Sequence, residues 1–292
     1  MKKYSKDKLK ARRWIKVLIV IFCIIAIFCI GVLIFSLFSK NIVVERFESS
    51  PNNVSDDIAK NSTPVIVNNL ILGGTYDKKW VASQRYYLNS KNGENTEIDA
   101  YSKSGKMGKY KVGKISKDTN TASVYTTISK QNLLNEYFAV VASDKNIMAN
   151  PASKISNVDE SYIKEVKKTL GIYRIFNMSV NITEIYDITI SDNEKGYLVF
   201  ATNEINKGKG AYSTAIYISN TGKKEIVKYN YIKNVEEAEE WPIYSFNFVA
   251  DLNSDGINEL IIQETKEFEV KYDILEYKDD KFYEILSATT KQ

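Results

Sequence analysis

The chain of 292 residues contains no histidine. That absence removes Ser-His-Asp and Cys-His catalysis, histidine-ligated zinc and the usual general base near neutral pH. An enzyme made from this sequence would have carboxylates, Lys, Tyr or an oxygen-held metal to work with. Cysteine is almost as scarce, with only Cys23 and Cys29. Both fall inside one apolar run, so the rest of the chain has no disulfide. At about 225 residues beyond the apolar run and its flank, it is long enough to bury a core without one.

Charge and proline are both missing from 17–38, which reads VLIVIFCIIAIFCIGVLIFSLF, 22 residues. As a helix this run would span roughly 33 Å, against a bilayer hydrocarbon core of about 30 Å, and only a helix hides its own backbone polar groups there. The sequence therefore predicts a single transmembrane helix over 17–38. Residues 1–16 hold Lys2, Lys3, Lys6, Lys8, Lys10, Arg12, Arg13 and Lys16 against Asp7. Such a flank stays on the cytoplasmic side, which places the tail inside and the rest of the chain outside. A cleaved signal has a shorter apolar core and a small-residue cleavage site. Here the run ends Ser36-Leu37-Phe38-Ser39-Lys40. Cys23 and Cys29 each follow a Phe, where lipoprotein signals carry a small residue. The expectation is an uncleaved signal anchor in the cell membrane.

The net charge of +4 is an average of unlike parts. Residues 1–40 carry nine basic side chains and one acidic; the remainder carries 31 basic and 35 acidic, a net −4. A mildly acidic exported body argues against nucleic acid as a partner. The abundance of Lys, Ile, Asn and Tyr suggests a low-GC Gram-positive bacterium.

Beyond the apolar run the pattern divides. Residues 39–63 are polar without a sustained period and read as a stalk. Residues 64–150 show short apolar runs between turn clusters: Val65–Leu72, Trp80–Leu88, Thr96–Tyr101, Lys109–Ile115, Ala122–Ile128 and Glu136–Ala142. These are the marks of a small β barrel or sandwich. Within them Gly108–Lys114 matches the first seven positions of a phosphate-binding loop, but Ile115 stands where a Ser or Thr should hold Mg²⁺, and the stretch alternates like a strand. No nucleotide is expected. At 156–290 a helix, with Val158, Tyr162, Val166 and Leu170 on one face and Gly171 to cap it, precedes eight candidate strands. Consecutive hairpins there predict an antiparallel β meander with the helix on one face. The expected fold class is thus a transmembrane helix plus a mainly β (α+β) exported region: a small β barrel or sandwich, then a helix and a meander resembling part of a β-propeller.

Glu236, Glu237, Glu239 and Glu240 form an acidic cluster of the residue type used in glycan hydrolysis, although sequence neighbours seldom hold the separation across a cleft which that chemistry needs. Trp80 and Trp241 are able to stack on sugar rings, but anchoring a core is the commoner role.

The sharpest pattern is Asp251-Leu252-Asn253-Ser254-Asp255-Gly256-Ile257-Asn258-Glu259. Oxygen side chains alternate at Asp251, Asn253 and Asp255, Gly256 permits a sharp turn, Ile257 can offer a carbonyl, and Glu259 closes the loop. Ca²⁺ takes six to eight oxygen ligands, and this spacing wraps one. An EF-hand is disfavoured, because Ile262 stands at its twelfth place and both flanks read as strands. The strand–loop–strand form, from about Phe246 to Leu286, resembles the FG-GAP/VCBS-type calcium-loop repeat of integrin-like β-propellers. That resemblance implies Asp251, Asn253, Asp255, Glu259 and the Ile257 carbonyl as ligands of a structural Ca²⁺. It also implies an extracellular β fold of the kind used in adhesion or ligand binding. Asn253 and Glu259 replace Asp residues common in that family. The expected function is a membrane-anchored, non-catalytic binding or scaffold protein for a cell-envelope component or another protein. A carboxylate-based cell-wall glycan hydrolase and a membrane-tethered sensor or accessory subunit are the alternatives.

Overall fold

A computed structural model describes residues 51–89, 94–102, 105–119, 122–128, 138–141, 152–171, 179–203, 210–232 and 241–291. The apolar run 17–38, its basic flank and the Glu236–Glu240 cluster lie outside the described residues. All of the described residues belong to one compact unit, Val44–Gln292.

Three antiparallel sheets make up most of that unit. The first contains β1 (Thr63–Val67), β2 (Leu70–Tyr76), β3 (Lys79–Ala82), β4 (Glu97–Ser102), β5 (Gly105–Lys117), β6 (Val124–Ile128) and β7 (Phe138–Val141), in the order β1-β7-β4-β5-β6-β2-β3, with β1 also paired to β2. That extra pairing curls the sheet round on itself. The second contains β8 (Ala152–Lys154), β9 (Asn181–Ser191), β10 (Glu194–Thr202), β11 (Ala211–Ser219) and β12 (Lys224–Ile232). The third is a simple meander of β13 (Ile243–Ala250), β14 (Glu259–Thr265), β15 (Glu269–Lys278) and β16 (Lys281–Lys291).

The third sheet is the middle layer. Its Phe248, Leu252, Ile261, Ile274 and Leu286 meet Val65, Val67, Leu70, Leu72 and Trp80 of the first sheet. Its opposite face sends Tyr244, Phe246, Leu260, Ile262, Leu275 and Phe282 against Tyr186, Leu198, Phe200 and Tyr217 of the second. The second sheet is covered on its outer face by α3 (Glu160–Gly171), through Val166 and Leu170. The first packs Ile66, Ile71, Ile98 and Val112 against Ala59 of α1 (Asp56–Asn61) and Tyr86 of α2 (Ser83–Asn89). β1 and β2 thus bury both faces, which is why 65–72 reads as nearly continuous apolar sequence.

The expected fold class is corrected by this arrangement. Among the described residues no helix is long and apolar enough to cross a membrane, and the structure is mainly β with three short helices. The early β strands and the later helix and meander are not a barrel or sandwich followed by a separate propeller-like piece. They pack on one middle sheet, whose two faces carry separate apolar clusters against the first and the second sheet.

Local corrections have local causes. Val65–Leu72 is two strands, joined at Asn68 and Asn69 with φ 49° and 66°. Two consecutive left-handed residues make the hairpin turn that suits strand twist, and Asn tolerates that backbone. Trp80–Leu88 is strand only to Ala82; α2 follows and buries Tyr86. α3 begins at Glu160, with Asp159 rather than Ser156 accepting a first-turn N–H, from Ser161 at 2.8 Å. Val158 is left exposed. Residues 54–61, within the segment read as a stalk, fold as α1 and its approach and pack on the first sheet. The lysine-rich stretch 108–114 lies within strand β5.

Candidate metal centre

The loop starts where β13 ends. β13 and β14 pair as far as Ala250↔Glu259, so residues 251–258 must reverse the chain within the width of one strand pair. Ser254 and Gly256 supply the reversal with φ 65° and 93°. Glycine takes such a φ without steric cost, which accounts for Gly256.

The alternating oxygen side chains all fold into the turn. Asp251 accepts from the Asp255 N–H at Oδ1 (3.0 Å) and from the Gly256 N–H at Oδ2 (3.0 Å). Asn253 Oδ1 also accepts from the Asp255 N–H, at 2.9 Å, while its amide donates to Asp255 Oδ2 at 3.1 Å. Asp255 Oδ1 accepts from the Ile257 N–H at 2.8 Å. Asp251, Asn253 and Asp255 are therefore gathered on one small volume, each by backbone of the same loop.

Glu259 closes the group from below. It is fully buried; its Oε2 accepts from the Leu252 N–H at 2.7 Å, and its Oε1 has no hydrogen-bond partner. Burial pushes its carboxyl well above the ordinary carboxylate range, the Leu252 N–H partly offsets this, and Asp255, Asp251 and Glu276 push it further up. No cation is among the charges acting on it. Among the described residues, no lysine or arginine forms an ion pair with Asp251, Asp255 or Glu259.

As the side chains stand, no three Asp, Glu, Cys or His groups among the described residues are drawn together closely enough to hold a metal ion. The Asp and Asn oxygens are turned onto loop N–H groups. Each of these oxygens keeps a second lone pair, however, and Glu259 Oε1 is a buried acceptor with nothing to accept from. An oxygen-only set with an orphaned buried carboxylate oxygen fits a hard cation. Mg²⁺ suits such a crowded loop less well than Ca²⁺, since it keeps several waters and needs a strict octahedron.

Three hydrogen bonds tie this loop to its neighbours. Asn258 donates its side-chain amide to the Thr189 carbonyl at 2.8 Å and its backbone N–H to Ile190 at 2.7 Å, both in β9 of the second sheet. Thr75 Oγ1, in β2 of the first sheet, donates to the Leu252 carbonyl at 3.4 Å. The loop sits where all three sheets meet.

Other residues singled out by sequence fall elsewhere. Trp80 is buried and donates its Nε1 to Glu276 Oε2 at 3.1 Å. Trp241 is also buried, with no hydrogen-bond partner for its Nε1. Neither presents an open ring face for a sugar.

Sequence reading missed a second charged group, on the other face of the middle sheet. Lys228 Nζ lies 2.7 Å from Asp273 and 3.2 Å from Glu284, and Lys271 Nζ lies 2.6 Å from Asp273 and 3.3 Å from Glu284. Asp273 is fully buried and Lys228 nearly so. Burial works against the Glu284 carboxylate, but Lys228 and Lys271 hold it below the ordinary range. Burial likewise opposes the Lys271 charge, yet Asp273 and Glu284 leave it raised. The available signal was Lys271 and Asp273 at alternate positions, facing the same way as Leu275 in a strand whose opposite face carries Val270, Tyr272 and Ile274.

Comparison with protein-family models, with curated proteins and with solved structures gives no match in any of the three. The likeness of 246–286 to the FG-GAP-type loop therefore stands on its residues alone.

Proposed function

We propose that the chain is an extracytoplasmic, membrane-attached, non-catalytic binding or scaffold protein whose sheets are braced by a structural Ca²⁺ at Asp251, Asn253, Asp255, the Ile257 carbonyl and Glu259. The observation that carries the calcium reading is the uncompensated buried carboxylate of Glu259 beneath a loop of inward oxygens. Attachment rests on the apolar run 17–38 with its basic flank. The binding or scaffold reading rests on a β-rich body, the lack of histidine, and an ion placed to stiffen rather than to meet a substrate. Bound Ca²⁺ would supply charge compensation and rigidity; the residues themselves position the loop and exclude water from Glu259.

The test is retention of the full-length chain on purified cell-envelope fragments, with Ca²⁺ and with chelator, while soluble products are followed. Expected is binding without turnover, weaker in chelator. Release of wall fragments, lost on Glu→Gln changes at Glu236, Glu237, Glu239 and Glu240, would instead favour the glycan-hydrolase reading.

A further inference from the structure

We propose that Glu276 is a fourth carboxylate of the loop's cation site, held in place by Trp80, so that cation binding fastens the first sheet to the middle one. This rests on the reading that the loop takes Ca²⁺.

The register places Glu276 there. Leu260 pairs with Leu275 across β14 and β15. Both leucines point toward the second sheet, so the next residue along each strand, Glu259 and Glu276, points toward the first. Directly opposed residues on one face of an antiparallel pair have Cβ atoms about 4.5–5.5 Å apart, and like charges so placed repel. Among the described residues no lysine or arginine forms an ion pair with Glu276. Its contact is the indole N–H of Trp80, which belongs to β3. The charges of Asp255 and Glu276 each act on Glu259; on Glu276, burial and the charge of Asp255 are opposed by the Trp80 N–H and by the charge of Lys278. Glu276 thus adds a carboxylate from β15 on the same face as Glu259, whose Oε1 is buried and unpartnered.

Trp80 is the mechanical link. Its ring packs in the same apolar cluster as Leu252, whose N–H holds Glu259 and whose carbonyl receives Thr75. The hydrogen bonds from Thr75 and from Trp80 of the first sheet therefore end within one residue's reach of a proposed ligand. A cation drawing Glu259, Asp255 and Glu276 together would tighten β2 and β3 onto the middle sheet. Trp80 acts here as a positioning residue.

The experiment uses the full-length chain, titrated calorimetrically with CaCl₂ as wild type, Glu276→Gln and Trp80→Phe. Hydrogen exchange of residues 70–82 is followed with Ca²⁺ and with chelator. Expected are a tenfold or greater loss of Ca²⁺ affinity in Glu276→Gln and about tenfold in Trp80→Phe, the range typical when a ligand or its supporting group is removed. Ca²⁺ should slow exchange at 70–82 in wild type and not in Trp80→Phe, while both variants keep wild-type circular dichroism in chelator. Wild-type binding with unchanged affinity in both variants, or with no protection at 70–82, overturns the clasp and leaves the loop site standing. Failure of the wild type to bind overturns both. The exchange arm needs no variant, so misfolding of either substitution does not spare the proposal.

Discussion

The middle sheet buries carboxylates on both of its faces and compensates them differently. Toward the second sheet, Asp273 and Glu284 are met by Lys228 and Lys271 at 2.6–3.3 Å. Toward the first sheet, Glu259 and Glu276 have an N–H apiece, from Leu252 and from Trp80, and among the described residues no lysine at ion-pair distance, Lys278 acting on Glu276 from farther off. Burial of an ion costs several kcal/mol after relaxation, whichever face it lies on. One face carries its counter-charge in the chain; on the proposed reading the other takes its counter-charge from solution, as Ca²⁺. On that reading the difference is between a permanent electrostatic tie and one that a divalent cation would switch.

The largest effect is expected where the tie is permanent. Asp273→Ala leaves the buried Lys228 and the half-buried Lys271 to share Glu284 and should cost about 3–5 kcal/mol. Denaturant unfolding should show the same loss with Ca²⁺ and with chelator. A loss that appears only in chelator would mean that the two faces are not independent.

Glu259→Gln should act with opposite sign. It removes a buried, uncompensated charge and keeps an acceptor for the Leu252 N–H. In chelator it should be more stable than wild type by about 1–2 kcal/mol, while its response to Ca²⁺ disappears. A destabilised variant in chelator would show that the carboxylate is compensated by some other means.

Glu225 extends the comparison to pH. Its Oε1 accepts from the Phe282 N–H at 2.7 Å and its Oε2 has no partner. Burial pushes its carboxyl up to about 7, with Phe282 and Lys281 lowering it and Asp280 raising it. A raised carboxyl binds its proton more tightly folded than unfolded, so its contribution is present at low pH. That contribution is lost as pH rises from about 4.5 to about 7, and nothing further changes above. Allowing for its partial solvent contact, the loss is about 1 kcal/mol. Melting curves from pH 5 to 8 should show this decline, and Glu225→Gln should flatten it.

The smallest change is Ser254→Gly. It relieves the left-handed backbone of Ser254 and should gain up to about 1 kcal/mol while leaving the Ca²⁺ response intact. Loss of that response would assign Ser254 a part in the site.

The strands of the second and third sheets were legible because they alternate or run apolar between Gly, Asn and Asp turns; Ala211–Ser219 and Glu269–Lys278 follow their sequence patterns closely. The loop was legible because its chemistry is local: Asp251, Asn253, Asp255 and Glu259 lie within nine residues. Glu276 and Trp80 were not, because strand register and sheet stacking bring them to the loop from far along the chain. The same holds for Lys228 and Asp273, 45 residues apart in the numbering. Hairpins closed by Asn68-Asn69 and Asp77-Lys78 escaped notice because they lack glycine, although both residues of each pair are left-handed. Trp80–Leu88 misled for another reason: aromatic and β-branched residues favour strands, yet the burial of Tyr86 decides for a helix after Ala82.

The central claim is that the loop Asp251–Glu259 takes its counter-charge from solution as Ca²⁺. Scanning calorimetry of the full-length chain, with about 1 mM Ca²⁺ and with chelator, tests it most directly. With a Kd near 10⁻⁴ M, the tight end of the range for extracellular modules, mass action gives about 1.4 kcal/mol. That corresponds to a rise in Tm of about 2–6 °C, absent in Asp255→Ala. Identical melting in both conditions, with no binding heat up to about 10 mM Ca²⁺, well beyond that affinity range, would contradict the claim and leave the loop an ordinary turn.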